Sequence, residues 1–161
     1  MIVVSDTSPL TNLAAIGQFN LLQTLFGEIY ITEGVVAELS AEGIKWPGAV
    51  EVEIANWIHI IQVTNRSLVD ALRLDLDFGE AETIAMAIQL QADLVLLDEQ
   101  MGRRAAQYLG LQVMGIVGLL VQAKKLGLLD RVRPHLDNLR KQAGFYLSQP
   151  VYEHALQLAG E

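Results

Sequence analysis

Short apolar runs alternate with longer stretches of helical spacing over most of the chain. Ile2-Val3-Val4 ends at Asp6, and Ser8-Pro9 offers an N-cap followed by proline at the first helical position, so a strand and then a helix closing near Gly17 are expected. A second helix from about Phe19 to Phe26 stops at Gly27. Ile29-Tyr30-Ile31 follows as a strand, and Thr32 caps a helix carrying Val35, Val36, Glu38 and Leu39. After the Pro47-Gly48 turn, the pattern predicts a helix to about Trp57 and a strand over Ile58-His59-Ile60-Ile61-Gln62-Val63.

The strongest signal runs from Gly79 to Gly115. A nearly all-apolar helix around Ala81-Ile84-Ala85-Met86-Ala87-Ile88 must be buried, and Leu94-Val95-Leu96-Leu97 after it ends at Asp98. A helix from about Glu99 to Leu109 leads through Gly110 to a strand at Gln112-Val113-Met114. Strands and helices therefore alternate with crossovers long enough for parallel pairing, which predicts an α/β sandwich. Beyond Gly115 the pattern is helical, broken at Gly127 and near Gly144, with Gln149-Pro150 opening a last short helix. No repeat, low-complexity tract or linker divides the 161 residues.

Composition narrows the chemistry. Apolar residues make up 52% of the chain, and no run approaches the roughly 20 apolar residues of a membrane-spanning helix. The first residues lack the basic region of a secretory signal, and a cytoplasmic protein is expected. With no cysteine, thiolate metal sites, disulfides and cysteine nucleophiles are all excluded. The net charge of −8 is unevenly spread: residues 1–99 hold fifteen of the nineteen acids against Lys45, Arg66 and Arg73, whereas residues 100–161 hold eight bases against four acids. Such segregation suits acids gathered at a cation site and bases along a polyanion path, although varied surface charge would give the same counts.

Two strands end in an aspartate, Asp6 and Asp98, and in a parallel sheet both would emerge on the edge where ligands collect. Either could instead cap the helix that follows. Glu80 and Glu82 stand in the first turn of the buried helix, where the dipole accounts for one acid and leaves the other to face a polar site. Glu38 adds a further acid on a short helix. His59, His135 and His154 have no ligand spacing, and the glycine-rich phosphate and dinucleotide motifs and the G-x-S-x-G motif are missing. What remains is a set of oxygen ligands suited to Mg²⁺ or Mn²⁺ and to work on phosphate esters.

Val4-Ser5-Asp6-Thr7-Ser8-Pro9-Leu10, Gly79-Glu80-Ala81-Glu82-Thr83-Ile84-Ala85 and Leu96-Leu97-Asp98-Glu99 with Gly102-Arg103-Arg104 resemble the PIN domain, the nuclease fold of VapC-type toxins in bacterial toxin–antitoxin pairs. The resemblance spans at least Ile2 to about Gly127 and is nearest to a branch with a Gly-Glu-Ala-Glu signature. It implies a single PIN-like three-layer α/β/α sandwich with a mainly parallel central sheet, its core over about residues 2–127 and carboxyl-terminal helices over 128–161. It further implies a Mg²⁺- or Mn²⁺-dependent ribonuclease, commonly a homodimer, whose toxin members are blocked by a small antitoxin. By position, Asp6, Glu38, Glu82 and Asp98 take the catalytic and metal-binding places, with Ser8, Glu80 and Glu99 as further candidates and Glu80 an alternative to Glu82. Arg103 and Arg104 are candidates for gripping RNA, ahead of Lys124 and Lys125.

Two other functions compete with cleavage. A phosphoacceptor signalling domain also uses strand-end aspartates and Mg²⁺. It needs paired acids at the first strand and a lysine at a late one, where this chain has Ser5-Asp6 and Met114-Gly115. A PIN-fold module that binds RNA or a partner without cleaving would keep all four acids.

Overall fold

Val3 and Val4 are both fully buried, as expected of a central strand covered by helices on both faces. A computed structural model describes residues 1–161 and places β1 (Val3–Ser5) at the middle of a five-stranded parallel sheet. β2 (Ile29–Thr32) and β3 (Ile58–Ile61) lie on one side of it, β4 (Leu94–Leu96) and β5 (Val113–Met114) on the other. All four strand pairings are parallel. The helices are α1 (Thr7–Ala15), α2 (Leu21–Phe26), α3 (Glu33–Leu39), α4 (Ala49–Ile54), α5 (Arg66–Leu72), α6 (Phe78–Gln89), α7 (Gln100–Tyr108), α8 (Ile116–Lys125), α9 (Arg133–Lys141) and α10 (Gln149–Leu158).

Alternation along the strands divides the interior into two cores. Val3, Ile29, Ile31, Ile58 and Leu96 pack with residues of α1 to α4 and α8 to α10. Val4, Val95 and Leu97 face the other way and pack with α5, α6 and α7. The result is the expected three-layer α/β/α sandwich with a helical carboxyl-terminal region. No helix is long and apolar enough to cross a membrane.

Two local expectations change, and one further helix is present. α1 starts at Thr7 rather than Pro9, which puts Ser8 inside the first turn, and Asp6 occupies the N-cap position without making a side-chain capping hydrogen bond. The helix after Pro47-Gly48 stops at Ile54. Residues 66–72, which show no clear apolar period, form α5 because Asn65 accepts a hydrogen bond from Leu68 N at 3.1 Å and Val69 is fully buried.

The strand order sets the position of the functional edge. The chain runs outward from β1 through β2 to β3, then returns to the other side of β1 for β4 and β5. β1 and β4 therefore flank the point where the winding reverses, and the crevice outside their carboxyl ends is where such sheets bind ligands.

Core and surface should respond very differently to truncation. Leu119→Ala, at a fully buried position of α8, is expected to cost about 2–5 kcal/mol in urea unfolding. Leu74→Ala, at a position 84% exposed, should stay within about 0.5 kcal/mol of the wild type.

Candidate active site

Asp6 leaves the end of β1 with its N–H donating to Leu96 O at 3.0 Å, so the pairing of β1 with β4 fixes its backbone. Its side chain is only 4% exposed, and Oδ1 is buried without a hydrogen-bond partner. Burial is the main reason that its pKa rises to about 7; Asp77, Glu38 and Asp98 add to the rise, and the Thr7 N–H opposes it.

Neutral donors orient two other carboxylates around Asp6. Glu38 on α3 accepts from Thr7 Oγ1 at 2.5 Å and from Gly79 N at 3.0 Å. Asp98, just past β4, accepts from Ile116 N at the start of α8 at 2.8 Å and from Ser8 Oγ at 3.2 Å, while Asn12 Nδ2 donates to Ser8 Oγ at 2.9 Å. Burial raises the pKa of Asp98, although these two hydrogen bonds and the nearby Arg103 guanidinium pull it down. Ser8 thus serves as a bracket between α1 and Asp98.

The two acids of α6 point to different places. Glu80 faces the crevice, where burial, a hydrogen bond with Asp77 and the charges of Asp77, Asp6 and Glu99 push its pKa up to about 9. Glu82 instead accepts from Gly34 N at 2.9 Å and pairs with Arg66 Nη1 at 2.5 Å, which ties α6 to the start of α3 and to α5. The structure therefore brings Asp6, Glu38, Glu80 and Asp98 to one crevice, with Glu99 at its edge, and places Glu82 outside the group.

Sequence reasoning missed Asp77. It is the N-cap of α6, accepting from Glu80 N at 2.8 Å, and its signal was the Asp-Phe-Gly-Glu spacing of a capping box. Thr7, which orients Glu38, was also missed and carried no signal of its own. Four glycines matter for space: a Cβ at Gly79 would collide with the Glu38 carboxylate, and one at Gly34 would lie 2.5 Å from Glu82 Oε1. At Gly102 and Gly115 it would lie 2.5 Å from Glu80 Oε2 and from Arg103 Nη1.

The candidate RNA-gripping bases are dispersed. Arg103 stands beside Asp98, with Nη1 donating to Leu97 O at 3.5 Å, and is the one base at the crevice. Arg104 lines a different hollow with Leu72, Leu76 and Met101. Lys124 is paired with Glu161 at 3.1 Å, and Lys125 is exposed on α8.

No three acidic or histidine side chains close around one point as a cation cage. By donor chemistry, however, the crevice fits a hard divalent cation. Its groups are carboxylate oxygens, one of them buried and unpartnered, and two hold protons far above the usual carboxylate range, chiefly because they are buried and further because like charges lie beside them.

A parallel sheet with acids gathered at its switch point defines an α/β/α protein with its candidate site at the carboxyl ends of the central strands. A family model described as a PIN domain matches residues 2–161, and the chain belongs to the PIN-domain family, a nuclease fold. No curated protein matches the sequence.

The raised pKa values give stability a definite pH dependence. The native state keeps protons on Asp6 and Glu80 that the unfolded chain releases near pH 4, so stability falls as pH rises through about 7 for Asp6 and about 9 for Glu80. In chelator, Asp6→Asn should match the wild type at pH 4 and exceed it by about 2–4 kcal/mol at pH 8. Urea melts at the two pH values decide this, and equal destabilisation at both would reduce Asp6 to a helix cap.

Proposed function

We propose that this protein is a Mg²⁺- or Mn²⁺-dependent endoribonuclease whose centre is formed by Asp6, Glu38, Glu80 and Asp98. The observation carrying this reading is the unpartnered, buried Oδ1 of Asp6 beside other carboxylates, with burial and the neighbouring charges raising the proton affinities of Asp6 and Glu80. A divalent cation held there would supply an activated water and charge stabilisation at the leaving oxygen. Asp6 and Asp98 would hold it from the two central strands. Glu38, fixed by Thr7 and Gly79 N, would add an oxygen from α3, and Glu80 would supply another on losing its proton. Arg103, beside Asp98, is the group for the substrate phosphate. Glu82 secures α3 through Gly34 N and Arg66 and takes the catalytic place only if the crevice rearranges.

The toxin role belongs to the same reading, with a small antitoxin as inhibitor, a homodimer as the working assembly and the cytoplasm as its location. Support for an assembly surface comes from exposed apolar residues of α7, Met101 at 57% and Tyr108 at 91%.

Mn²⁺ should bring about cleavage of a mixed RNA pool that chelator abolishes. Asp6→Asn and Glu80→Gln should each lower the rate by more than the roughly 10–100-fold typical of residues that only support a ligand. Glu82→Gln should keep activity within about tenfold of wild type and lose thermal stability instead. Because the cation displaces protons from Asp6 and Glu80, its affinity should rise between pH 6 and pH 8 with measurable proton release. A Glu80→Gln enzyme of full activity beside an inactive Glu82→Gln enzyme would reverse the two roles.

A further inference from the structure

Behind Glu38 the acidic crevice opens into a cavity of about 520 Å³ lined by Thr7, Thr11, Asn12, Glu38, Trp46 and Gln142. Its size lies within the roughly 300–1,000 Å³ of small-molecule sites. Trp46 is held by its backbone, with N donating to Leu39 O at 3.1 Å and O accepting from Ala49 N at 3.0 Å, while 47% of the residue stays exposed. An indole anchored through its backbone and half exposed where it lines the cavity is placed to stack on a flat ligand. Asn12 uses Nδ2 on Ser8, which leaves its Oδ1 for another partner, and Gln142 is exposed at the end of α9.

No base lines the cavity, whose wall shared with the crevice is the Glu38 carboxylate, and Lys45, next to Trp46 in the chain, is paired with Glu53 at 3.2 Å. An occupant must be retained by its face and its edge. A flat heterocycle with donors and acceptors on its rim meets both demands, and in a nuclease the nearest such group is a base of the strand being cut.

We propose that this cavity is a nucleobase subsite for single-stranded RNA: the Trp46 indole stacks on the base, and the Asn12 and Gln142 amides read its edge. It selects the nucleotide beside the scissile phosphate. Its role in cleavage rests on the nuclease reading, whereas its occupancy by a base does not.

The test uses the full chain carrying Trp57→Phe, so that Trp46 is the only tryptophan, with hexaribonucleotides of A, C, G or U in chelator. Trp57 packs on Phe19 with ring centroids 5.6 Å apart, and phenylalanine retains an aromatic ring there. Saturable quenching of Trp46, differing at least about fivefold in affinity between the best and worst base, is expected. By anisotropy of labelled hexamers, Trp46→Ala should weaken binding by about five- to hundredfold, the range of base–aromatic stacking, and Trp46→Phe should restore most of it. Gln142→Ala should narrow the difference between bases, and with Mn²⁺ should change the nucleotide found at the cut ends. Equal binding by Trp46→Ala and wild type, absence of any quenching, or quenching by an apolar peptide and by no oligonucleotide would each overturn the subsite. Base-selective quenching in a protein that no cation renders active would uphold the subsite and remove the nuclease reading.

Discussion

Asp6 is fixed in place by backbone rather than by side-chain partners, because its N–H joins Leu96 O where the two central strands pair. The sheet thereby holds a carboxylate in a nearly dry position with one oxygen unmatched. Burying an unpaired charge is unfavourable, and the molecule meets that cost by raising the proton affinity of the site rather than by supplying a base. Neutral donors hold two of the other acids of the crevice. Thr7 and Gly79 N hold Glu38, and Ser8 and Ile116 N hold Asp98.

α6 shows how one helix serves both site and scaffold. Residues two apart are separated by roughly 200° around a helix with 3.6 residues per turn, so Glu80 and Glu82 cannot face the same way. Glu80 enters the crevice, where Gly102 leaves room for its carboxylate. Glu82 meets Arg66 and the first turn of α3, where Gly34 leaves room. One acid lies among like charges; the other is paired with a guanidinium and a backbone N–H.

The positive half of the chain is used differently from what charge counts alone suggest. Lys124 and Arg131 both approach Glu161, whose carboxylate also accepts from Val132 N at 2.6 Å and Arg133 N at 3.3 Å. Burial alone would raise the pKa of Glu161, but these partners outweigh it and the pKa is lowered. Arg140 donates to Leu147 O at 2.8 Å and lies over the Tyr152 ring. Much of this charge therefore fastens α8, α9 and α10 together, and Arg103 is left as the cation next to the acids.

Strand runs such as Ile2-Val3-Val4 and Leu94-Val95-Leu96-Leu97, each stopped by an aspartate, already implied parallel strands with acids at one edge, since apolar period and chain reversal are local properties. The match of the PIN-domain model to residues 2–161 agrees with the family resemblance drawn from those same segments. Helix α5 escaped notice because a seven-residue helix held by one cap and one buried valine has too little period to register. Which of Glu80 and Glu82 enters the crevice depended on where β1, α3 and α5 lie around α6, a relation between segments far apart in the chain, as in the Gly34–Glu82 hydrogen bond across 48 positions. The same holds for Thr7, Asp77 and Trp46, whose neighbours are brought to them by the winding of the sheet. Residue types and spacing carry the chemistry available to a chain, while packing decides which of its charges stay paired and which remain exposed to a ligand.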